Sequence, residues 1–113
     1  MPSKRTDPKP PLLHIRDNII YVKQLLASLS YDEFKQSRTL FYATTRALEI
    51  IAEASRRLPA EMKKRHPEIP WTDIAGAGNV YRHDYEDVAA KRVWDTVQVA
   101  LLPLKAAVEL ELA

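Results

Sequence analysis

The 113-residue sequence has no cysteine. That excludes a disulfide framework and any zinc site built on thiolates, and it fits a reducing compartment such as the cytoplasm. Glycine is almost absent too. Both copies, Gly76 and Gly78, fall inside "IAGAGNVYRHDYEDV" at residues 74–88. No phosphate-binding glycine loop, nucleophile elbow or zinc signature is present. No stretch reaches the roughly 18 uninterrupted apolar residues of a membrane span. The opening "MPSKRTDPKPP" has no apolar run behind its basic residues until Leu12, so the sequence predicts neither leader nor anchor. Charge of one sign is also missing. The 17 basic and 15 acidic residues leave +2, and Lys4, Arg5 and Lys9 against Asp7 account for all of it. From residue 11 onward the signs balance, fourteen against fourteen. The body therefore lacks the basic footprint usual for a nucleic-acid binder; no DNA partner is expected, and any RNA is held by a local patch or by a composite surface in an oligomer.

What the chain does have is helical periodicity. Three of its eight prolines lie in residues 1–10, which read as a disordered lead-in to one domain over residues 11–113. Leu12, Ile15, Ile19, Val22, Leu26 and Leu29 recur at helical spacing and predict a helix over 12–29. Ser30 with Glu33 forms a capping box for a second helix over 30–58, bent near Ser37. Its stripe is Leu40, Thr44, Ala47 or Leu48, Ile51, Ala54 or Ser55, and Leu58, with Glu49, Glu53, Arg56 and Arg57 off it as possible ion pairs. Pro59 starts a short turn over "AEMKKRH", "PEIP" is a rigid link, and Trp71 opens a helix to about Tyr85. The last helix, over 89–112, turns Val93, Val97, Leu101, Leu104, Val108 and Leu112 inward, with a bend or break expected at Pro103. No strand pattern occurs. The expected fold is an all-α bundle of four to five helices.

The chemistry concentrates around residues 78–85. Helical spacing puts Gly78, Arg82 and Tyr85 on one face, with His83 about 100° round from Arg82. Histidine exchanges a proton near neutral pH, and arginine binds phosphate oxygens through forked donors. Such a pair could cleave RNA without metal, one group as general acid/base and the other as oxyanion stabiliser. Adjacent arginine and histidine are also common as a solvated charge and a helix-end histidine. Each glycine costs roughly 1 kcal/mol against alanine inside a helix, so Gly76 and Gly78 predict a close helix crossing, within the chain or across a dimer axis. The row Arg56, Arg57, Lys63, Lys64, Arg65, His66 reads as a solvated face with RNA contact as the alternative. Asp84, Glu86 and Asp87 beside His83 do not make a ligand spacing, and neither metal nor cofactor is expected.

The ordered blocks "ALEIIAEASRRLP", "RHPEIPW", "IAGAGNVYRHDY" and "VWDTVQVALLPLKAAVE" resemble the HepT-like toxin family of the HEPN superfamily, over roughly residues 11–112. The resemblance implies a compact helical bundle, a two-fold homodimer with motif helices lining one cleft, and RNA as substrate. It also implies a minimal nucleotidyltransferase antitoxin that can transfer AMP onto the motif tyrosine. The family motif is an arginine–asparagine pair, then a histidine, one residue and a tyrosine. Asn79, His83 and Tyr85 match it, which implies His83 as acid/base, Asn79 as a positioning group and Tyr85 as AMP acceptor. Gly78 stands where the family has arginine. Two explanations follow: Arg82 serves the same phosphate from one turn further on, or the chain keeps fold and partner without cleavage, as a nucleotide-binding or partner-binding protein.

Overall fold

The computed structural model describes residues 7–77 and 86–113, with side chains of the second range described from Val88. Among these residues the protein is all helix, without a strand. The elements are α1 (Lys9–Leu25), α2 (Tyr31–Lys35), α3 (Arg38–Arg56), α4 (Ala60–Lys64), α5 (Trp71–Gly76), α6 (Glu86–Asp95) and α7 (Leu101–Leu112). A π-helical turn, Thr96–Ala100, joins α6 to α7. Three long runs, α1, α3 and α6 through α7, make the bundle, and α2, α4 and α5 are short connectors.

The predicted stripes are the observed core. Leu12, Ile15, Ile19, Val22 and Leu26 of the first run meet Ala47, Leu48, Ile51, Ala54 and Leu58 of the second and Val93, Val97, Leu101, Leu104 and Val108 of the last, all buried. Each large aliphatic side chain removed from water stabilises the fold by roughly 1.5–3 kcal/mol. Leu29, Leu40 and Leu112 pack at the margin and are only partly buried.

Several boundaries differ from the sequence expectation. The first helix starts earlier, at Lys9, because Pro10 occupies a first-turn position where a missing N–H costs nothing. It ends at Leu25, since the chain must leave the helix for Ser30 to take up its cap. That cap is as expected: Ser30 Oγ accepts from the Glu33 N–H at 3.1 Å, and Glu33 Oε1 accepts from the Ser30 N–H at 2.8 Å. The bend near Ser37 is a full break. Ser37 is extended and its hydroxyl accepts from the Leu40 N–H at 3.1 Å, so it caps a new helix rather than bending an old one. Pro103 does not break the last helix. The α-helical acceptor for its missing N–H would be Val99, and the irregularity falls on the turn containing that residue, where the Leu101 N–H reaches Thr96 O.

An aromatic cluster fixes the angle of α6. Trp94 packs edge-on to Tyr31 at 5.9 Å and tilted on Phe34 at 5.5 Å, while Lys91 Nζ lies 5.4 Å from the Tyr31 ring centre and 3.1 Å from Asp95 Oδ1. No described helix is long and apolar enough to cross a membrane.

Candidate functional site

The segment that carries the sequence motif connects α5 to α6, and the structure shows how those two helices are held. Trp71, at the head of α5, donates its indole N–H to the carbonyls of Lys63 (3.1 Å) and His66 (3.0 Å). These belong to the end of α4 and the turn after it, so one donor satisfies carbonyls that a helix terminus leaves unpaired. At the other end of α5, Arg56 of α3 donates from Nη1 to the Ala75 carbonyl.

The link before α5 is tied in turn to the far end of the chain. His66 is buried, 6% exposed, with Nε2 2.7 Å from Glu111 Oε2. Arg65 grips the same carboxylate with two donors, at 2.7 and 3.1 Å. The Arg65 guanidinium first, and the His66 ring second, hold the Glu111 carboxyl down at about 2.

This corrects the reading of residues 56–66 as one solvated basic face. Arg65 and His66 are structural, bound to Glu111. Arg57 pairs with Glu53 at 3.7 Å and approaches His14 Nδ1 at 3.4 Å. Arg56 does not pair with an acid on its own helix but reaches α5. Only Lys63 and Lys64 lack a side-chain hydrogen bond or ion pair among the described residues. Glu111 was not visible as a partner because nothing local in "VELELA" distinguishes it from a solvated helix end.

A cavity of about 550 Å³ opens between α5 and the α6–π run, its wall including Asp73, Ile74, Gly76, Ala77, Arg92, Asp95, Thr96 and Ala100. Ala77 directly precedes the motif segment, and Arg92 lies on the helix that follows it. Arg92, Asp95 and Thr96 share one face of the helix by their spacing of three and four, a polar stripe the sequence reading passed over. The Thr96 hydroxyl is tied back to the Arg92 carbonyl at 2.8 Å.

Of the residues singled out in the sequence, Gly78, Asn79, Arg82, His83 and Tyr85 lie outside the described residues, as do residues 1–6 of the lead-in and the expected continuation of the Trp71 helix to Tyr85. Gly76 is the last residue of α5 and half-buried. A Cβ added to it would meet no atom within 4 Å, so no described part of this chain crosses it closely. Among the described residues no cluster of His, Asp or Glu could hold a metal ion.

Comparison with known proteins bears directly on this arrangement. Residues 15–110 match the HepT-like ribonuclease family. A protein of Caldanaerobacter subterraneus subsp. tengcongensis, provisionally named as an RNase, is 34% identical over 80% of this chain and 80% of its own. One from Thermococcus cleftensis, named as a probable ribonuclease HepT, is 33% identical over 80% and 83%. Another from Methanocaldococcus jannaschii, also provisionally named as an RNase, is 32% identical over 96% and 98%. No solved structure matches the chain significantly. With a match that runs from the second turn of α1 almost to the end of α7, the chain belongs to the HepT-like ribonuclease family.

Proposed function

We propose that the protein is the toxin of a toxin–antitoxin pair: a metal-independent endoribonuclease that acts as a homodimer and is silenced by a minimal nucleotidyltransferase antitoxin. The observation that carries this reading is the order Asn79, His83, Tyr85 in a chain whose whole bundle matches a ribonuclease family. In the proposed reaction His83 takes the proton of an RNA 2′-hydroxyl as that oxygen attacks the neighbouring phosphorus. Arg82 stands in for the family arginine replaced by Gly78 and neutralises the charge gathering on the phosphate oxygens. Asn79 positions the substrate. The bond to the 5′-oxygen breaks as that oxygen takes the proton from His83, leaving a cyclic phosphate and a 5′-hydroxyl. Silencing by AMP transfer forms a bond from Tyr85 Oη to the α-phosphorus of ATP, releasing pyrophosphate and the phenolic proton. The added phosphate then repels RNA and fills its space.

Support for a second copy comes from the uncovered apolar residues of the last run, Val99 (68% exposed), Leu102 (51%) and Leu110 (69%). Gly78 at the family arginine's place favours the alternative, a member that binds nucleotide or partner without cutting.

RNA cleavage in EDTA by purified protein decides between them. We expect cleavage that drops at least 100-fold in His83→Ala. No cleavage by the folded wild type selects the non-cutting alternative, and equal cleavage by both proteins removes His83 from the mechanism. Incubation with the partner and ATP should add AMP mass to the wild type and none to Tyr85→Phe.

A further inference from the structure

The cavity between α5 and the α6–π run is within the volume range of small-ligand sites. Its charges are unusual for a phosphate site. Asp73, on the first turn of α5, makes no side-chain hydrogen bond or ion pair among the described residues, whereas Asp95 on the same wall is held by Lys91 at 3.1 Å. Arg92 supplies a guanidinium to the same cavity. The wall thus offers a ligand one carboxylate unpaired among the described residues, together with the donors of a guanidinium that has a partner of its own. Ile74 and Ala100 add apolar surface, and the π turn, a feature concentrated at functional sites, carries Thr96 and Ala100 onto the wall.

A ligand consisting of phosphate alone meets a like charge at Asp73, and a purely cationic one meets Arg92. The complement is a unit with phosphate at one end and N–H donors at the other, which is a nucleotide. An ionised carboxylate only accepts hydrogen bonds, and its two oxygens are best met by two adjacent donors. Guanine carries such a pair, N1–H beside the 2-amino group, on its Watson–Crick edge. Adenine and cytosine place one amino group beside an acceptor, and uracil has one N–H between two acceptors. Single-stranded RNA presents exactly such edges to side chains. We propose that this cavity is a guanine-nucleotide subsite, with the Asp73 carboxylate on the base edge and Arg92 on the phosphate. Its place beside the reacting phosphate rests on the ribonuclease reading; the binding itself does not.

The test is equilibrium titration of the purified protein with the four nucleoside 5′-monophosphates, followed by NMR. GMP should bind at least ten-fold tighter than AMP, UMP or CMP. Asp73→Asn should erase that preference, and Arg92→Gln should weaken all four. Gly76→Phe, whose ring enters the space left open at that position, should block binding. Asp73 is exposed and has no side-chain partner among the described residues, so its variant should keep the wild-type melting curve. Equal affinity for the four nucleotides, no binding of GMP, or a GMP preference that survives in Asp73→Asn overturns the subsite. Asp73-dependent GMP binding by a protein that cuts no RNA upholds the subsite and rejects the nuclease.

Discussion

Thr44 lies inside α3 with no exposed surface, and its hydroxyl has no hydrogen-bond partner among the described residues. A buried polar group left unpaired costs roughly 1–3 kcal/mol. Thr44→Val removes the hydroxyl while keeping the branched shape, and chemical denaturation should show a gain of about 1 kcal/mol. Glu111 is the opposite case, a carboxylate satisfied from two sides. Its folded pKa lies below the ordinary value, so its stabilising effect is complete above that ordinary value and is lost as pH falls from there toward about 2. Acid unfolding curves of Glu111→Gln should therefore be flatter than wild type across that range, and the variant should be less stable at neutral pH by on the order of 1–3 kcal/mol. Neither residue could be judged from sequence. Thr44 fell on the expected stripe, but a stripe says nothing about partners, and Glu111 depends on a contact with residues 45 and 46 positions away.

At the scale of elements, apolar periodicity was enough to place α1, α3 and the last run, because burial of a continuous face decides where a helix lies. Caps were legible where a hydroxyl and a glutamate stand at fixed spacing, as at Ser30. They were harder to read where Ser37 stops one helix and starts another. The π turn was foreshadowed by Pro103 but lies upstream of it. For α5 the decisive contacts are the Trp71 indole and the Arg56 guanidinium, both reaching carbonyls of other segments, which no local pattern encodes. Arg56→Met keeps the aliphatic stem and removes that donor. Amide exchange at residues 72–76 should quicken several-fold, while global stability changes by less than about 1 kcal/mol. An unchanged exchange rate would mean that the contact does not hold α5.

For the whole molecule, the all-α bundle followed from patterning, and the family from separated blocks in order. The candidate site divides differently. Its motif residues were legible as a string, whereas the cavity with Asp73 and Arg92 on its wall exists only once α5 and α6 are brought together. The uncovered Val99, Leu102 and Leu110 leave the last run apolar on its outer side as well as its inner one, the pattern of a helix covered on both. If the proposed dimer forms, light scattering at micromolar concentration should show the wild type as a dimer and Leu102→Glu with Leu110→Glu as a monomer that keeps the helical CD spectrum. A dimer that persists would place the second copy on another face.

The clasp of Arg65 and His66 on Glu111 has one more implication, for synthesis of the chain. These contacts cannot close until Glu111 has left the ribosome, long after α4 and α5 have emerged. Until then the link before α5 is held by the Trp71 indole without the Glu111 clasp, so the full anchoring of that link waits on residue 111.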